Sequence, residues 1–263
     1  MNDIRKDKGF TLVEILMAVF IGLILLGAVY VSMNSGQRTS AGVERKIAAQ
    51  QDVRAALELM AMEISMASFN PNLVSGSIWK NPPVGALPPF NGTPACTTAS
   101  GNQAYKGIQE ATPTSLTVEM DINQNGSIGD VKNEIIRYAW DATQFYISRN
   151  VGYVAGDPDY NCTKDLSFLG DVTGAVEGTR NVRVKNNTMG INNGHGIPAI
   201  FRYYDGKNPA TELYPNITTT DIANIRRIDI ALGVETEEVD PNTHQYKRMI
   251  YSTSVLVRNH VLN

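Results

Sequence analysis

The stretch Phe10–Val31, FTLVEILMAVFIGLILLGAVYV, decides the architecture of this chain. It contains 22 residues and a single charged side chain, Glu14. At about 1.5 Å per residue, a helix of this length covers about 33 Å, which is enough to cross a hydrocarbon core of roughly 30 Å. The stretch therefore predicts a transmembrane helix over residues 10–31, with the rest of the chain outside the membrane.

Removal of this stretch as an ordinary secretory signal is the alternative interpretation. Small residues follow it at Ser32, Ser35 and Gly36, and such residues favour signal cleavage. Against this, the apolar run is longer than the apolar region of a secretory signal, and Val29–Val31 offers no small residue at a cleavage position. The length of the run favours a retained membrane helix.

Basic residues flank the predicted span on both sides. The leader, residues 1–9, carries Arg5, Lys6 and Lys8. The next basic residue on the other side is Arg38, which lies further from the span. Because positive charge close to a span favours the cytoplasmic side, we expect a cytoplasmic N-terminus.

The residues at the start of the span resemble the leader junction of the type IV pilin superfamily. They read Lys8-Gly9-Phe10-Thr11-Leu12-Val13-Glu14 and run directly into the apolar stretch. The resemblance implies that a prepilin peptidase cleaves between Gly9 and Phe10 and methylates the new amino terminus on Phe10. It also implies that Glu14 neutralises the amino terminus of a neighbouring subunit during assembly.

The same resemblance implies partners and a location. The partners would be other pilin or minor pilin subunits, the prepilin peptidase and an inner-membrane assembly platform. The chain would enter the bacterial inner membrane as a prepilin with its head in the periplasm, and would then reach a pilus at the cell surface. Elementary electrostatics agrees with such an assembly, because pairing an amine with a carboxylate lowers the cost of placing each in hydrocarbon.

The apolar helix is expected to continue into an amphipathic half, residues 32–68. This half lacks Pro, and its apolar residues recur at spacings of three or four. They are Val43, Ile47, Val53, Leu57, Met60, Ile64 and Ala67. The pattern predicts one helix from Phe10 to Ser68, ended by Asn70-Pro71-Asn72, with an apolar stripe against a head.

The head, residues 69–263, opens with a Pro-rich stretch. Six of the 12 Pro residues lie between Pro71 and Pro94, so residues 69–113 are expected to be irregular. We interpret this stretch as an exposed loop that faces a partner or, alternatively, as a tolerated surface insertion.

Alternating apolar residues predict several strands after this stretch. The predicted strands are 115–120, 134–140, 144–149 and 197–204, followed by two longer ones around Ile228–Glu235 and Met249–Arg258. Short loops between sequential strands favour antiparallel pairing. The predicted fold class is α+β and pilin-like, a long N-terminal helix packed on an antiparallel β-sheet head.

Three C-terminal segments resemble the PilW-type minor pilins. They are Phe201–Asp205 before a turn, Ile225–Ile228 at the opening of a strand, and Ser254–Asn259 near the end. The resemblance implies a minor pilin, a structural subunit that primes or joins a type IV pilus. A minor pseudopilin of a type II secretion system is the alternative, because its leader would look the same.

A loop rich in Asp and Asn suggests one cofactor, calcium. Asp121, Asn123 and Asn125 alternate before Gly126, as at the start of an EF-hand loop. The Glu that normally closes such a loop is replaced by Lys132, so Asp130 and perhaps Glu134 would have to complete the ligand set. The alternative is a hairpin loop that needs no ion.

Composition limits the other functions of the chain. With 23 basic and 26 acidic residues, the formal net charge of −3 argues against nucleic-acid binding. Two Cys and three His exclude a four-Cys zinc site, and no common catalytic motif occurs, so an enzyme tethered by the helix is a remote alternative. In an oxidising compartment Cys96 and Cys162 are expected to form a disulfide; the alternative is two free thiols.

Overall fold

The computed structural model describes residues 9–73, 78–80, 106–152, 166–170, 182–213 and 219–261. Its first element is a single 54-residue helix, α1, Leu12–Ser65. Thr11 is the N-cap residue, and its side chain caps the first turn. The helix is about 81 Å long at 1.5 Å per residue. The predicted helix over Phe10–Ser68 is therefore confirmed to within three residues at each end.

The two halves of α1 have different surroundings. The buried residues of the helix begin at Gly42 and Ala49, and Val53, Met60 and Ile64 are fully buried. The predicted stripe is wrong at its start, where Val43 and Ile47 are 51% and 47% exposed. Gly42 and Ala49, on either side of them along the helix, are buried, so Val43 and Ile47 are exposed because they point away from the buried face.

Five antiparallel strands form the first sheet, in the order β1-β2-β3-β4-β5. They are β1 Ile108–Ala111, β2 Ser115–Glu119, β3 Ile135–Asp141, β4 Tyr146–Gly152 and β5 Leu166–Leu169. Each strand pairs with the next in the sequence, so this sheet is a meander.

A second antiparallel sheet surrounds the long strand β8. Its strands are β6 Val182–Val184, β7 Phe201–Tyr204, β8 Arg227–Thr236 and β9 Arg248–Leu256. Strand β8 pairs with each of the other three. A short helix, α2 Thr219–Ile222, precedes β8, and a 3-10 turn, Asn259–Val261, follows β9.

The α+β architecture and the antiparallel pairing are confirmed, with three corrections. The described part of the head contains two sheets, whereas the sequence analysis predicted a single sheet. The stretch 69–113 was predicted to be irregular, but its end forms β1. The predicted strand 197–204 begins only at Phe201, because residues 191–200 form a turn-rich segment with one isolated bridge.

One apolar core joins the helix to both sheets. The buried face of α1 packs against β8, β9 and β5. Val53 and Met60 on the helix, Ile136 on the first sheet and Ile228 on the second belong to the same buried cluster. A smaller cluster of Ile78, Trp79, Ile128 and Ile135 lies beneath the β2–β3 loop.

Candidate functional site

The N-terminal half of α1 is an uncovered apolar surface. None of its most apolar stretch is buried against the rest of the described chain. Among the described residues, α1 is the single helix long and apolar enough to cross a membrane. Phe10, the predicted first mature residue, is 84% exposed and lies just before the helix begins. This half of the helix therefore has its apolar side chains free for lipid or for other subunits.

Glu14, the charge inside the apolar stretch, closes a capping box with Thr11. Its Oε2 accepts hydrogen bonds from the Thr11 backbone N–H at 2.8 Å and from the Thr11 hydroxyl at 2.9 Å. In return, the Thr11 Oγ1 accepts the Glu14 N–H at 3.3 Å. The carboxylate thus satisfies two donors at the start of the helix.

The other half of α1 is fixed to the head by a buried charge that the sequence prediction missed. Glu63 is 5% exposed and accepts a hydrogen bond from Arg149 Nε of β4 at 3.1 Å. Its carboxylate also accepts the hydroxyl of Tyr138 on β3. Burial and the neighbouring Glu63 raise the pKa of Tyr138, so its hydroxyl stays protonated as a donor. The sequence did contain a signal, because Glu63 lies three residues from Met60 on the buried face.

These observations together agree with a match to a known family. Residues 4–30 match the family model described as the prokaryotic N-terminal methylation motif. The matched segment contains Gly9, Phe10 and Glu14, and it supports a type IV pilin-like precursor. No curated protein and no solved structure matches the chain significantly.

The three C-terminal segments Phe201–Asp205, Ile225–Ile228 and Ser254–Asn259 lie outside the methylation motif and meet in the second sheet. Tyr204 of β7 pairs with Arg227 of β8, and Arg227 pairs with Leu256 of β9. The Arg227 guanidinium lies 3.9 Å from the centroid of the Tyr204 ring, within range of a cation–π interaction. The segments therefore form one packed structural unit.

The β2–β3 loop, residues 121–134, is a second candidate site and is distant in sequence from the methylation motif. Asp121 is buried, and its Oδ1 and Oδ2 accept the N–H groups of Asn125 at 3.1 Å and Gly126 at 2.9 Å. Asn123 Oδ1 also accepts the Asn125 N–H, at 3.0 Å. Gly126 has φ 77°, a conformation that a residue with a Cβ rarely adopts. The alternating Asp and Asn residues thus fold the loop tightly upon itself.

The carboxyl groups of Asp130 and Glu134 come together at this loop. Asp130 accepts hydrogen bonds from the side-chain amides of Asn123, at 3.1 Å, and Asn125. Glu134 is fully buried, and its Oε2 accepts the N–H groups of Gly129 at 2.8 Å and Asp130 at 3.2 Å. Burial and, secondarily, the Asp130 carboxyl raise the pKa of Glu134 to about 7. Burial opposes ionisation of Asp130, but the amide hydrogen bonds outweigh it and lower the pKa of Asp130.

The predicted calcium ligands are therefore divided between two roles. The side-chain amides of Asn123 and Asn125 meet at Asp130, and the Asp130 N–H in turn donates to Glu134. Both carboxylate oxygens of Asp121 instead face the loop backbone. No group of three or more His, Cys, Asp or Glu side chains that could hold a metal occurs in the described part of the chain. Any cation at this loop must rely on two carboxylates supplemented by neutral oxygens.

The predicted disulfide falls outside the described residues. Cys96 belongs to the undescribed stretch 81–105 and Cys162 to 153–165. The pairing of the two thiols stays a prediction.

His260 ties the end of the chain to the end of α1. Its Nδ1 lies 2.7 Å from the Ser68 hydroxyl and 2.7 Å from the Lys106 carbonyl oxygen, and its Nε2 lies 2.8 Å from the Ile222 carbonyl oxygen. The ring is fully buried, and burial lowers the pKa of His260 although the two carbonyls act in the opposite direction. The residue is a structural connector.

Proposed function

We propose that this chain is a minor pilin, a structural subunit that primes or joins a type IV pilus. The observation that carries the proposal is the division of α1. Its C-terminal half is buried against the head, and its N-terminal half is apolar, exposed and part of the methylation motif. A helix that is apolar on all sides and uncovered by its own chain needs lipid or other helices around it.

The proposed life cycle follows from the residues at the start of the helix. The prepilin enters the inner membrane through α1 with its head in the periplasm. Prepilin peptidase cleaves after Gly9 and methylates Phe10, and the mature helix then packs among the helices of other subunits at the assembly platform. Glu14 pairs with the amino terminus of a neighbouring subunit, so that neither charge stays unpaired in an apolar environment.

The ion pair of Glu63 with Arg149 connects the head to the helix that would enter the pilus. A buried, hydrogen-bonded ion pair between helix and sheet holds the head to α1 as one body. When neighbouring helices pack around the exposed half of α1, the head is carried into a defined position relative to that half.

A minor pseudopilin of a type II secretion system is the second candidate, because the methylation motif supports it equally. Deleting the gene in its native bacterium and complementing it in trans separates the two candidates. A minor pilin predicts loss of pili from the sheared surface fraction while secreted proteins are unchanged. Loss of secretion with normal piliation would replace the proposal with the pseudopilin.

A further inference from the structure

Glu134 has a buried carboxylate oxygen that no group in the described part of the chain satisfies. Its Oε2 accepts loop N–H groups, but its Oε1 is buried and has no hydrogen-bond partner among the described residues. The neighbouring acidic residue is Asp130, whose N–H donates to the other oxygen, Glu134 Oε2, at 3.2 Å. A buried oxygen left without a donor in this way is costly, and a cation is one group that can satisfy it.

The protein around this pair is built to hold it in place. On one side, Ile128 packs with Trp79 and Ile135 in a separate apolar cluster. On the other side, Asn123, Asn125 and Asp130 are exposed to solvent, whereas Glu134 is buried. The loop therefore has a fixed apolar base and a polar face that solvent reaches.

We propose that the β2–β3 loop binds one calcium ion, shared by the carboxylates of Asp130 and Glu134 and supplemented by water and by Asn123 and Asn125, whose side-chain amides turn over to present Oδ1 in place of the Nδ2 that donates to Asp130. Calcium is a hard cation that takes six to eight oxygen ligands in flexible geometry, which suits two carboxylates with neutral oxygens around them. An ion at this position would satisfy Glu134 Oε1 and separate the two negative groups. With two carboxylates, affinity should fall in the range of weak extracellular modules, with a Kd of about 10⁻⁴ to 10⁻³ M.

Asp121 has a positioning role in this proposal. Its carboxylate holds the turn through the N–H groups of Asn125 and Gly126. Its own N–H donates to the Phe69 carbonyl oxygen at 2.8 Å, and the Asn72 amide donates to the Gln124 carbonyl oxygen at 2.5 Å. Because these bonds tie the loop to the segment just after α1, calcium bound there would also stabilise the exit of the helix.

The test measures calcium binding directly in the full chain, purified in detergent and stripped with a chelator. Equilibrium dialysis with radioactive calcium should give about one ion per chain at millimolar free calcium. Unfolding should shift upward by about 3–10 °C in 10 mM calcium, because a ligand bound to the folded state alone opposes unfolding. Magnesium at the same concentration should give a smaller shift, since it demands stricter geometry and dehydrates reluctantly.

Two variants and one control locate the site. Asp130→Asn changes an exposed residue, so the variant should fold while losing most of the bound calcium. Glu134→Gln changes the buried ligand and should also fold and lose most of the bound calcium. Asp141→Asn is the matched control, because Asp141 also caps its own loop, accepting the N–H groups of Thr143 and Gln144. The proposal is overturned if the native chain binds no calcium, if Asp130→Asn binds it as the native chain does, or if Asp141→Asn loses it equally.

Discussion

Glu14 and Thr11 form a reciprocal pair at the first turn of α1, in which Glu14 Oε2 lies 2.8 Å from the Thr11 nitrogen and 2.9 Å from the Thr11 hydroxyl. The carboxylate therefore has partners within its own chain before any neighbour is present. Capping needs an acceptor oxygen, whereas neutralising the amino terminus of another subunit needs a negative charge. The two roles can be separated by substitution.

Replacing Glu14 by Gln keeps the acceptor and removes the charge, since Gln also serves in capping boxes. We expect cleavage after Gly9 to be unchanged in both Glu14→Gln and Glu14→Ala. Incorporation into sheared pili should fall about tenfold or more in both, because the loss of an ion pair worth about 1.4 kcal/mol already changes an equilibrium tenfold. Quantitative immunoblots of the cell and shear fractions measure this ratio.

Glu44→Gln is the control, since Glu44 is exposed on the same helix and lies outside the methylation motif. It should assemble normally. Normal incorporation of Glu14→Gln together with a defect in Glu14→Ala would show that Glu14 acts as a helix cap and that its charge is unnecessary.

The buried carboxylate of Glu63 should contribute strongly to the stability of the head. Glu63→Gln removes the charge that compensates Arg149, and the cost of breaking a buried pair in this way is about 3 kcal/mol. The free energy of unfolding by denaturant, measured on the full chain in detergent, should fall by about this amount.

Glu238→Gln is the comparison, because it removes an exposed partner of Arg45 on the same helix. Exposed ion pairs contribute about 0–1 kcal/mol, so this variant should unfold almost as the native chain does. Equal losses in the two variants would contradict the proposed connection between α1 and the head.

The elements with a long hydrophobic pattern were predicted best from the sequence. The apolar run fixes α1, and the alternation of Ile228, Ile230 and Leu232 fixes β8, where all three are fully buried. Strands β5 and β6 were not predicted, because they contain four and three residues and a period of two cannot be recognised over so few positions.

Side-chain pairing at the sites was less predictable than the fold. The convergence of Asn123, Asn125 and Asp130 follows from their spacing in one short loop. The pairing of Glu63 with Arg149 does not, since it joins residues that are far apart in the sequence and depends on how α1 lies against β4. The exposure of Val43 and Ile47 depends likewise on which face of α1 the head covers, which a spacing of three or four alone does not fix.

Acid should destabilise the protein through His260. Its pKa is about 6.5 when unfolded and lower when folded, so the unfolded state binds more protons as pH falls below 6.5. The contribution of His260 to the free energy of unfolding is therefore at its full value above pH 6.5. It is lost as the pH falls toward the pKa that His260 has in the folded state. Arg226 and Lys106, the charged groups facing the ring, act in the same direction because both disfavour a second positive charge.

His260→Gln tests this pH dependence, which is opposite in direction to that of two carboxyl groups with raised pKa values. Burial raises the pKa of Glu119 to about 8 and that of Glu134 to about 7, so their effect is to lower stability as pH rises above 4.5. Subtracting the unfolding free energies of the variant from those of the native chain cancels these contributions. The variant should be less stable by about 1–3 kcal/mol at pH 8, through lost hydrogen bonds, and the difference should shrink by pH 5. A difference that is independent of pH would contradict a neutral, buried His260.

Processing at the start of α1 tests the central claim most directly. The chain should be purified from its native bacterium, with and without prepilin peptidase, and its N-terminal peptide identified by mass spectrometry. The account predicts a mature chain that begins at Phe10 with one added methyl group on its amino terminus, and an intact N-terminus in the strain without the peptidase. An intact leader in the strain with active peptidase, or cleavage after the apolar stretch near Ser32, would contradict the assignment as a type IV pilin-like precursor.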